Sequence, residues 1–204
     1  MSAAPKVTNR KALIRSEATH LFAANGFNGT PVRIIARHCG VTEAAIYRHY
    51  DSKEHLYEEV IRAKAAQHDI AGQLAAQAEG TGVEEMLTRV AEYILSFAKT
   101  DPELLQLMAN STRGNDPAAT VLFQEIRLPF IKFIQAELIR RIAAGQVRPV
   151  DPFITARCFV GMVMDCAMSI GVWQKLNETT IKSRDVICNN MPIFARGLEV
   201  RPVS

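Results

Sequence analysis

Thr30-Pro-Val-Arg-Ile-Ile-Ala-Arg-His-Cys-Gly-Val-Thr-Glu-Ala-Ala-Ile-Tyr-Arg-His-Tyr50, running on into Asp51-Ser-Lys-Glu54, decides the fold. The stretch reads as two short helices around a tight turn, the geometry that lays one helix in the DNA major groove. Thr30 is an N-cap residue, and Pro31 stands where a helix tolerates proline best, at its first position. Val32, Ile35 and Ala36 share one face. Gly40 supplies the backbone freedom for a sharp turn after Cys39, and Val41 plugs it with an apolar group. Thr42 then caps a second helix, in which Ala45 and Ile46 face inward while Glu43, Ala44, Tyr47, Arg48 and His49 face outward. Small residues for close approach and donors for phosphates and base edges are what a reading helix needs.

Charge follows the same division. The net charge is only +3, but residues 1–50 hold seven basic groups against two acidic ones, Glu17 and Glu43. The other 154 residues hold seventeen basic and nineteen acidic groups. A basic module on a nearly neutral body is an electrostatic footprint for a polyanion, although an ordinary solvated face has the same composition.

Around this stretch the chain resembles the N-terminal domain of the TetR family of transcriptional regulators. Upstream, Ile14, Ala18, Leu21, Phe22 and Ala23 lead into Asn25-Gly26-Phe27, similar to the family's first helix and its glycine-aromatic ending. Downstream, Val41-Thr42, Ile46-Tyr47-Arg48-His49-Tyr50 and Ser52-Lys53-Glu54 match its reading helix and the start of its fourth helix. The likeness covers about the first sixty residues in register; beyond them only an all-helical layout is similar. Two positions depart from the pattern. Glu43 puts an acid where the family usually has a basic or neutral residue, either repelling phosphate or accepting from a cytosine amino group. Pro31 replaces a common hydroxyl residue and removes one possible phosphate contact.

Residues and resemblance together give a DNA-binding set of Thr30, Arg33, Thr42, Glu43, Ala44, Ala45, Tyr47, Arg48, His49 and Lys53. Tyr47 is expected on phosphate, Lys53 near a helix N-terminus that favours an anion, and Ala44 and Ala45 at close approach or against a thymine methyl. For each the plainer reading is core or solvated surface.

The rest of the chain reads as helices punctuated by turn residues, with no internal repeat and no strand pattern. One runs from the N-cap Ser52 with Leu56, Val60 and Ile61 inward and fades near Ala75; another spans about Val83 to Lys99. A short one carries Leu104, Leu105, Leu107 and Met108 and ends in the loop Ser111-Thr112-Arg113-Gly114-Asn115. The next starts near Asp116-Pro117, bends at Pro129 and closes at Gly145. The longest apolar run, Cys158 to Val172, is shorter than the ~20 residues needed to cross a bilayer and is interrupted by Asp165. It reads as a buried helix after the cap Asp151-Pro152, apolar on nearly every face and therefore covered on two sides. Gly161 and Gly171 permit close helix approach. The last helix, about Ile181 to Leu198, carries Ile187, Met191, Phe194 and Leu198, with Pro192 as a kink.

The expected fold class is therefore all-α. A three-helix helix-turn-helix domain, residues 1–51, precedes a larger helical effector-binding and dimerisation domain, residues 52–204, about nine helices in total. The last two helices form half of a four-helix dimer interface, the arrangement the resemblance also implies. The resemblance places an effector pocket among the central helices, with Phe97, Met108, Phe123, Phe130, Met162, Cys166 and Trp173 as walls, although apolar residues at helical spacing also make ordinary core. Asp165 reads as a buried carboxylate, either salt-bridged to an arginine or serving as a polar anchor for the ligand.

The partners expected are double-stranded DNA, a small effector and a second copy of the chain, with no membrane and no cofactor. Cys39, Cys158, Cys166 and Cys188 form no CxxC pair, no histidine stands at metal-ligand spacing, and apolar neighbours suggest buried reduced thiols in a cytoplasmic protein. The N-terminus lacks the apolar core of a signal peptide. A helical enzyme is disfavoured because His20, His38, His49, His55 and His68 form no convincing pair with a nucleophile or metal ligand. A helical protein-interaction module with only nonspecific DNA binding is the alternative.

Overall fold

The computed structural model describes residues 7–75, 81–111, 117, 119–176 and 180–200, and among them it is all-helical. The helices are α1 (Val7–Asn25), α2 (Val32–His38), α3 (Glu43–Tyr47), α4 (Lys53–His68), α5 (Ile70–Ala75), α6 (Val83–Thr100), α7 (Pro102–Ser111), α8 (Ala119–Leu122), α9 (Leu128–Ala143), α10 (Pro152–Gly171) and α11 (Ser183–Leu198). Taken as one across the break at Asp69, and as one across the π turn Phe123–Arg127, they make nine among the described residues. The chain divides by its contacts into two compact units, Met1–Gln67 with Gln106–Glu125, and His68–Leu105 with Ile126–Ser204.

In the first unit, α1, α2 and α3 pack as the helical patterns predict. Ile14, Ala18 and Phe22 of α1, Val32 and Ile35 of α2, and Ile46 of α3 are buried together with Tyr50. Fully buried Tyr57 brings α4 into this core, its ring 4.7 Å from Phe22 and 5.2 Å from Phe27. Gly40 has φ +63°, the left-handed region that costs other residues strain, and it closes α2 with two turn bonds. Val41 N–H donates to the Ala36 carbonyl and Gly40 N–H to the Arg37 carbonyl, satisfying groups the helix end leaves open.

The second unit is built on α10, which packs against both α6 and α9, while α11 packs on α6. Asp151 caps α10, its Oδ1 accepting from Ile154 N–H at 2.8 Å, with Pro152 in the first turn. Ala156, Phe159, Val160, Val163, Met164, Ala167 and Met168 form one buried stripe. Away from this stripe Ile154, Arg157, Cys158 and Asp165 are exposed, so among the described residues the second covering predicted for this helix is not supplied from within the chain. The helix is 20 residues long and, by length and composition, apolar enough to cross a membrane. A Cβ on Gly171 would sit 3.2 Å from the Ala98 Cα, so this glycine permits the close approach of α10 to α6; Gly161 faces open space.

Several sequence expectations change. Pro31, rather than Thr30, is the N-cap of α2, and it makes no side-chain cap. The long helix after Ser52 is interrupted at Asp69, which takes φ +41°. Long-range bonds hold the break: Tyr93 Oη donates to the His68 carbonyl at 2.6 Å, and the His68 ring pairs with Asp101 at 2.9 Å. Just before Pro129, where a bend is expected, the helix widens into a π turn. Proline lacks the amide for an ordinary helical bond and crowds the carbonyl four residues back, here that of Glu125, and widening the turn relieves both. Pro192 lies inside α11, as expected, and the helix assignment runs through it. Cys158 and Cys188 are exposed, and Cys39 and Cys166 are half-buried, so burial of the thiols is incomplete. Apart from Ser111, the loop predicted at 111–115 lies outside the described residues, as do Asp116 and the 76–80 stretch.

Candidate nucleic-acid interface and effector region

Thr42 builds the reading helix from its start. Its backbone is extended, and its Oγ1 accepts from Ala45 N–H at 3.2 Å, covering an amide that the helix would leave unpaired. Because Ile46 is buried, the rest of the short helix is oriented: Glu43, Ala44, Tyr47 and Arg48 face solvent with Thr42, and Ala45 and His49 are half-buried. Tyr47 is 47% exposed, a large aromatic residue on the outer face with no core to fill. Arg33 and Arg37 are exposed on α2. Tyr50 behaves differently: it is buried, and its Oη donates to the Lys11 carbonyl at 3.1 Å, tying the end of the reading segment to α1. Burial pushes its phenol upward.

Two predicted DNA contacts sit elsewhere. Thr30 has no exposed surface, and its hydroxyl is shared between the carbonyls of Gly26 at 2.8 Å and Leu21 at 3.1 Å. It fastens the α1–α2 connection and has nothing to offer a phosphate. Lys53 folds back over the Phe27 ring, 4.1 Å from its centroid, and donates to the Phe27 carbonyl. Burial holds its ammonium below the ordinary lysine range, so in this conformation it is a structural cation. The start of α4 is capped by its own side chains. Ser52 Oγ accepts from His55 N–H at 3.0 Å, and His55 Nδ1 accepts from Asp51 N–H at 3.2 Å.

The predicted effector walls divide between the units. Met108 and Phe123 belong to the first, where Met108 is buried and Phe123 half-buried. Phe97, Phe130, Met162, Asp165, Cys166 and Trp173 belong to the second. There Phe97 and Phe130 are fully buried, with Tyr93 between them at 5.4 and 5.8 Å and the His68 ring 4.7 Å from Phe97. Met162, Cys166 and Trp173 are half-buried. Asp165 is solvent-exposed, which corrects its reading as a buried carboxylate: position 165 falls off the stripe that α10 buries.

Sequence reasoning passed over Arg127 and Arg141. Arg127 ends the π turn half-buried. Its guanidinium is held below the usual arginine range, first by burial and then by the charge of Arg157, while Asp165 acts the other way. Arg141 is 3% exposed, bonded to Glu137 at 3.3 Å and to the Thr81 carbonyl at 2.9 Å. Buried arginines were not visible in the hydrophobic pattern, because a charge on a helix reads as solvent-facing until packing shows otherwise. Among the described residues, no group of three or more His, Cys, Asp or Glu side chains stands close enough to hold a metal ion.

Residues 14–60 match the family model described as bacterial regulatory proteins, tetR family. The HTH-type transcriptional regulator YhgD of Bacillus subtilis (strain 168) is 22% identical over 161 residues, covering 77% of this chain and 84% of that one. Among solved structures, the transcriptional regulator FadR from Bacillus subtilis in complex with stearoyl-CoA superposes with a TM-score of 0.74 at 18% identity, over 92% of this chain and 99% of that one. AibR in complex with isovaleryl coenzyme A and operator DNA gives 0.66 at 21% identity, over 90% and 97%. The matched segment spans the cap, turn and reading helix described above, and over those residues the chain is similar to the TetR family of transcriptional regulators.

Proposed function

We propose that this regulator binds DNA as a homodimer, reads a pseudo-palindromic operator, and is released by a small, largely apolar effector. The observation that carries the reading is the orientation of α3. Its Thr42 cap and buried Ile46 leave Tyr47 and Arg48 exposed on α3, and Arg33 and Arg37 are exposed on α2. Arg33, Thr42, Glu43, Ala44, Ala45, Tyr47, Arg48 and His49 are the proposed contact set; Thr30, which is buried, and Lys53, which bonds the Phe27 carbonyl, are proposed instead to support the head. Residues 1–51 are assigned to DNA and 52–204 to effector and dimer, in a cytoplasmic, non-enzymatic protein.

Exposed Phe153 and Ile154 of α10 and Ile193 of α11 support a second copy on the last two helices, since apolar faces of this kind are ordinarily covered. Two reading heads on a two-fold axis meet half-sites about one DNA turn apart or a multiple of it. The effector releases the protein by binding better to a conformer with the wrong head separation, and the coupling equals that preference. Repression follows where the operator overlaps a promoter. The regulators FadR and AibR are each described with an acyl-CoA, so acyl thioesters are the first compounds to test.

Selection of sites from random duplex DNA with the purified chain, at two salt concentrations, tests the reading. Enrichment of a palindrome supports it and supplies the probe for effector release. A folded, dimeric protein that enriches nothing favours the protein-interaction reading, with the exposed apolar helices as its surface.

A further inference from the structure

A half-open groove of about 620 Å³ lies in the second unit, where the end of α6, the end of α10 and the beginning of α11 meet. None of the predicted effector walls lines it. Its apolar surface comes from Leu95, Ala98, Ile170 and Ile187. Residues 92, 95, 96 and 99 of α6 have the spacing of one helical stripe, and 184, 187 and 188 of α11 have the same spacing, so the two packed helices each present one continuous face to the groove. Two cations stand among these residues, Lys99 and Arg184, and neither has an ion pair or hydrogen bond among the described residues. Glu92 is the carboxylate of the lining, but it lies two helical turns from Lys99, about 10 Å along the axis, too far for direct pairing.

We infer that this groove binds a single-chain amphiphile with a carboxylate head, its hydrocarbon on the apolar floor and its carboxylate between Lys99 and Arg184. Charge and shape both select that ligand. Two cations against one carboxylate leave one positive charge, which a monoanionic head neutralises. An ammonium head is repelled by both cations, and a neutral head gains no charged contact from either. The guanidinium of Arg184 offers a planar pair of donors suited to a carboxylate. The volume falls within the roughly 300–1,000 Å³ usual for small-ligand sites. The site is independent of the central effector and of DNA binding, and because it joins α6 to α11 its ligand bridges the core of the body to the helix proposed to meet the second copy.

The test is calorimetric titration of the purified full chain, without DNA, using decanoate and decanol as probes. Wild type is expected to bind decanoate stoichiometrically and at least about tenfold more tightly than decanol, the equivalent of one well-placed charged contact. Lys99→Glu with Arg184→Glu should abolish that preference while leaving the melting profile and decanol binding in place. Both cations project from exposed positions, so folding is not at stake. Cys188→Trp, which fills the groove from an exposed position, should weaken both probes. The inference is overturned if wild type binds no decanoate, if decanol binds as well as decanoate, or if the double variant binds decanoate like wild type. It is equally overturned if the variants leave decanoate binding unchanged but shift the chain from dimer to monomer in sedimentation, because a second copy then covers the groove.

Discussion

Asn110 Nδ2 donates to the Ala23 carbonyl at 2.9 Å and reaches the Phe22 carbonyl at 3.3 Å, so a side chain of α7 closes the C-terminal end of α1 across 87 residues of sequence. Helix ends leave carbonyls without partners and carry partial negative charge. An amide donor answers both needs, and it is placed beside Gly26, whose φ of +71° turns the chain toward the reading segment. Asn110→Ala should therefore lower stability by about 1–2 kcal/mol, measured by urea unfolding of the full chain. Asn110→Asp should cost more, because it aims a carboxylate at a helix C-terminus.

Tyr47 is the most direct test of the DNA face. It is exposed and spends nothing on the core, so Tyr47→Phe should leave thermal stability within about 0.5 kcal/mol. If its hydroxyl meets phosphate, affinity should fall about equally for all duplex sequences at fixed salt. Unchanged affinity in a fluorescence anisotropy titration removes Tyr47 from the contact set.

His68 and Asp101 hold the break between α4 and α5. Their side chains are 14% and 7% exposed, and Asp101 Oδ1 also accepts from Leu104 N–H at 3.1 Å, capping α7. Asp101→Ala removes both bonds and should destabilise by about 2–3 kcal/mol, whereas His68→Ala removes only one of them. A double-mutant cycle on unfolding free energies should give a coupling of about 1 kcal/mol or more between the two sites.

Glu137 sets a pH dependence. Its hydrogen bond from Arg140, with the nearby charges of Arg140 and Arg141, holds its carboxyl below the usual glutamate value, against the opposing effect of burial. A carboxylate whose folded value is depressed contributes stability above its unfolded value and loses it as pH falls through the folded one. Stability should therefore decline on acidification below the ordinary carboxylate range, and Glu137→Gln should flatten that part of the profile. Guanidinium unfolding across a pH series reads the difference.

Arg127 tests the body of the molecule. A half-buried guanidinium disfavoured by burial and by Arg157 is costly to keep, so Arg127→Met should leave stability unchanged or raise it slightly. If an acyl-CoA is the effector and Arg127 meets its charged portion, the same variant should need several-fold more ligand for release from the operator. Asp165→Asn, at an exposed position, should change unfolding free energy by less than about 0.5 kcal/mol.

The head was legible because its signals are local. Thr42 caps its helix through its own side chain, Gly40 takes a backbone conformation that few other residues enter, and Ile46 finds its inward face by spacing alone. The body was legible as a set of helices for the same reason: Asp151-Pro152 starts α10 and Gly145 follows α9. Where expectation and structure part, a partner distant in sequence decides. The break at Asp69 is held by Tyr93 and Asp101; its local signal, an aspartate whose Oδ1 accepts from Gly72 N–H at 3.4 Å, is too common on helix surfaces to mark a break by itself. Thr30 looked like a cap until the carbonyls of Leu21 and Gly26 claimed its hydroxyl, and Lys53 looked free until Phe27 lay beneath it.

Periodicity, capping residues and glycine placement, all read over a few residues, were enough to determine the all-helical class, the helix-turn-helix and the outward face of α3. Tertiary structure alone decided which charges are buried, as Arg141 is, which carboxylate faces water, as Asp165 does, and that α6, α10 and α11 line a groove whose two cations have no ion pair among the described residues. The reason is physical: helix formation is governed by neighbours three and four residues away, whereas desolvation and charge pairing depend on atoms brought together only when the helices pack.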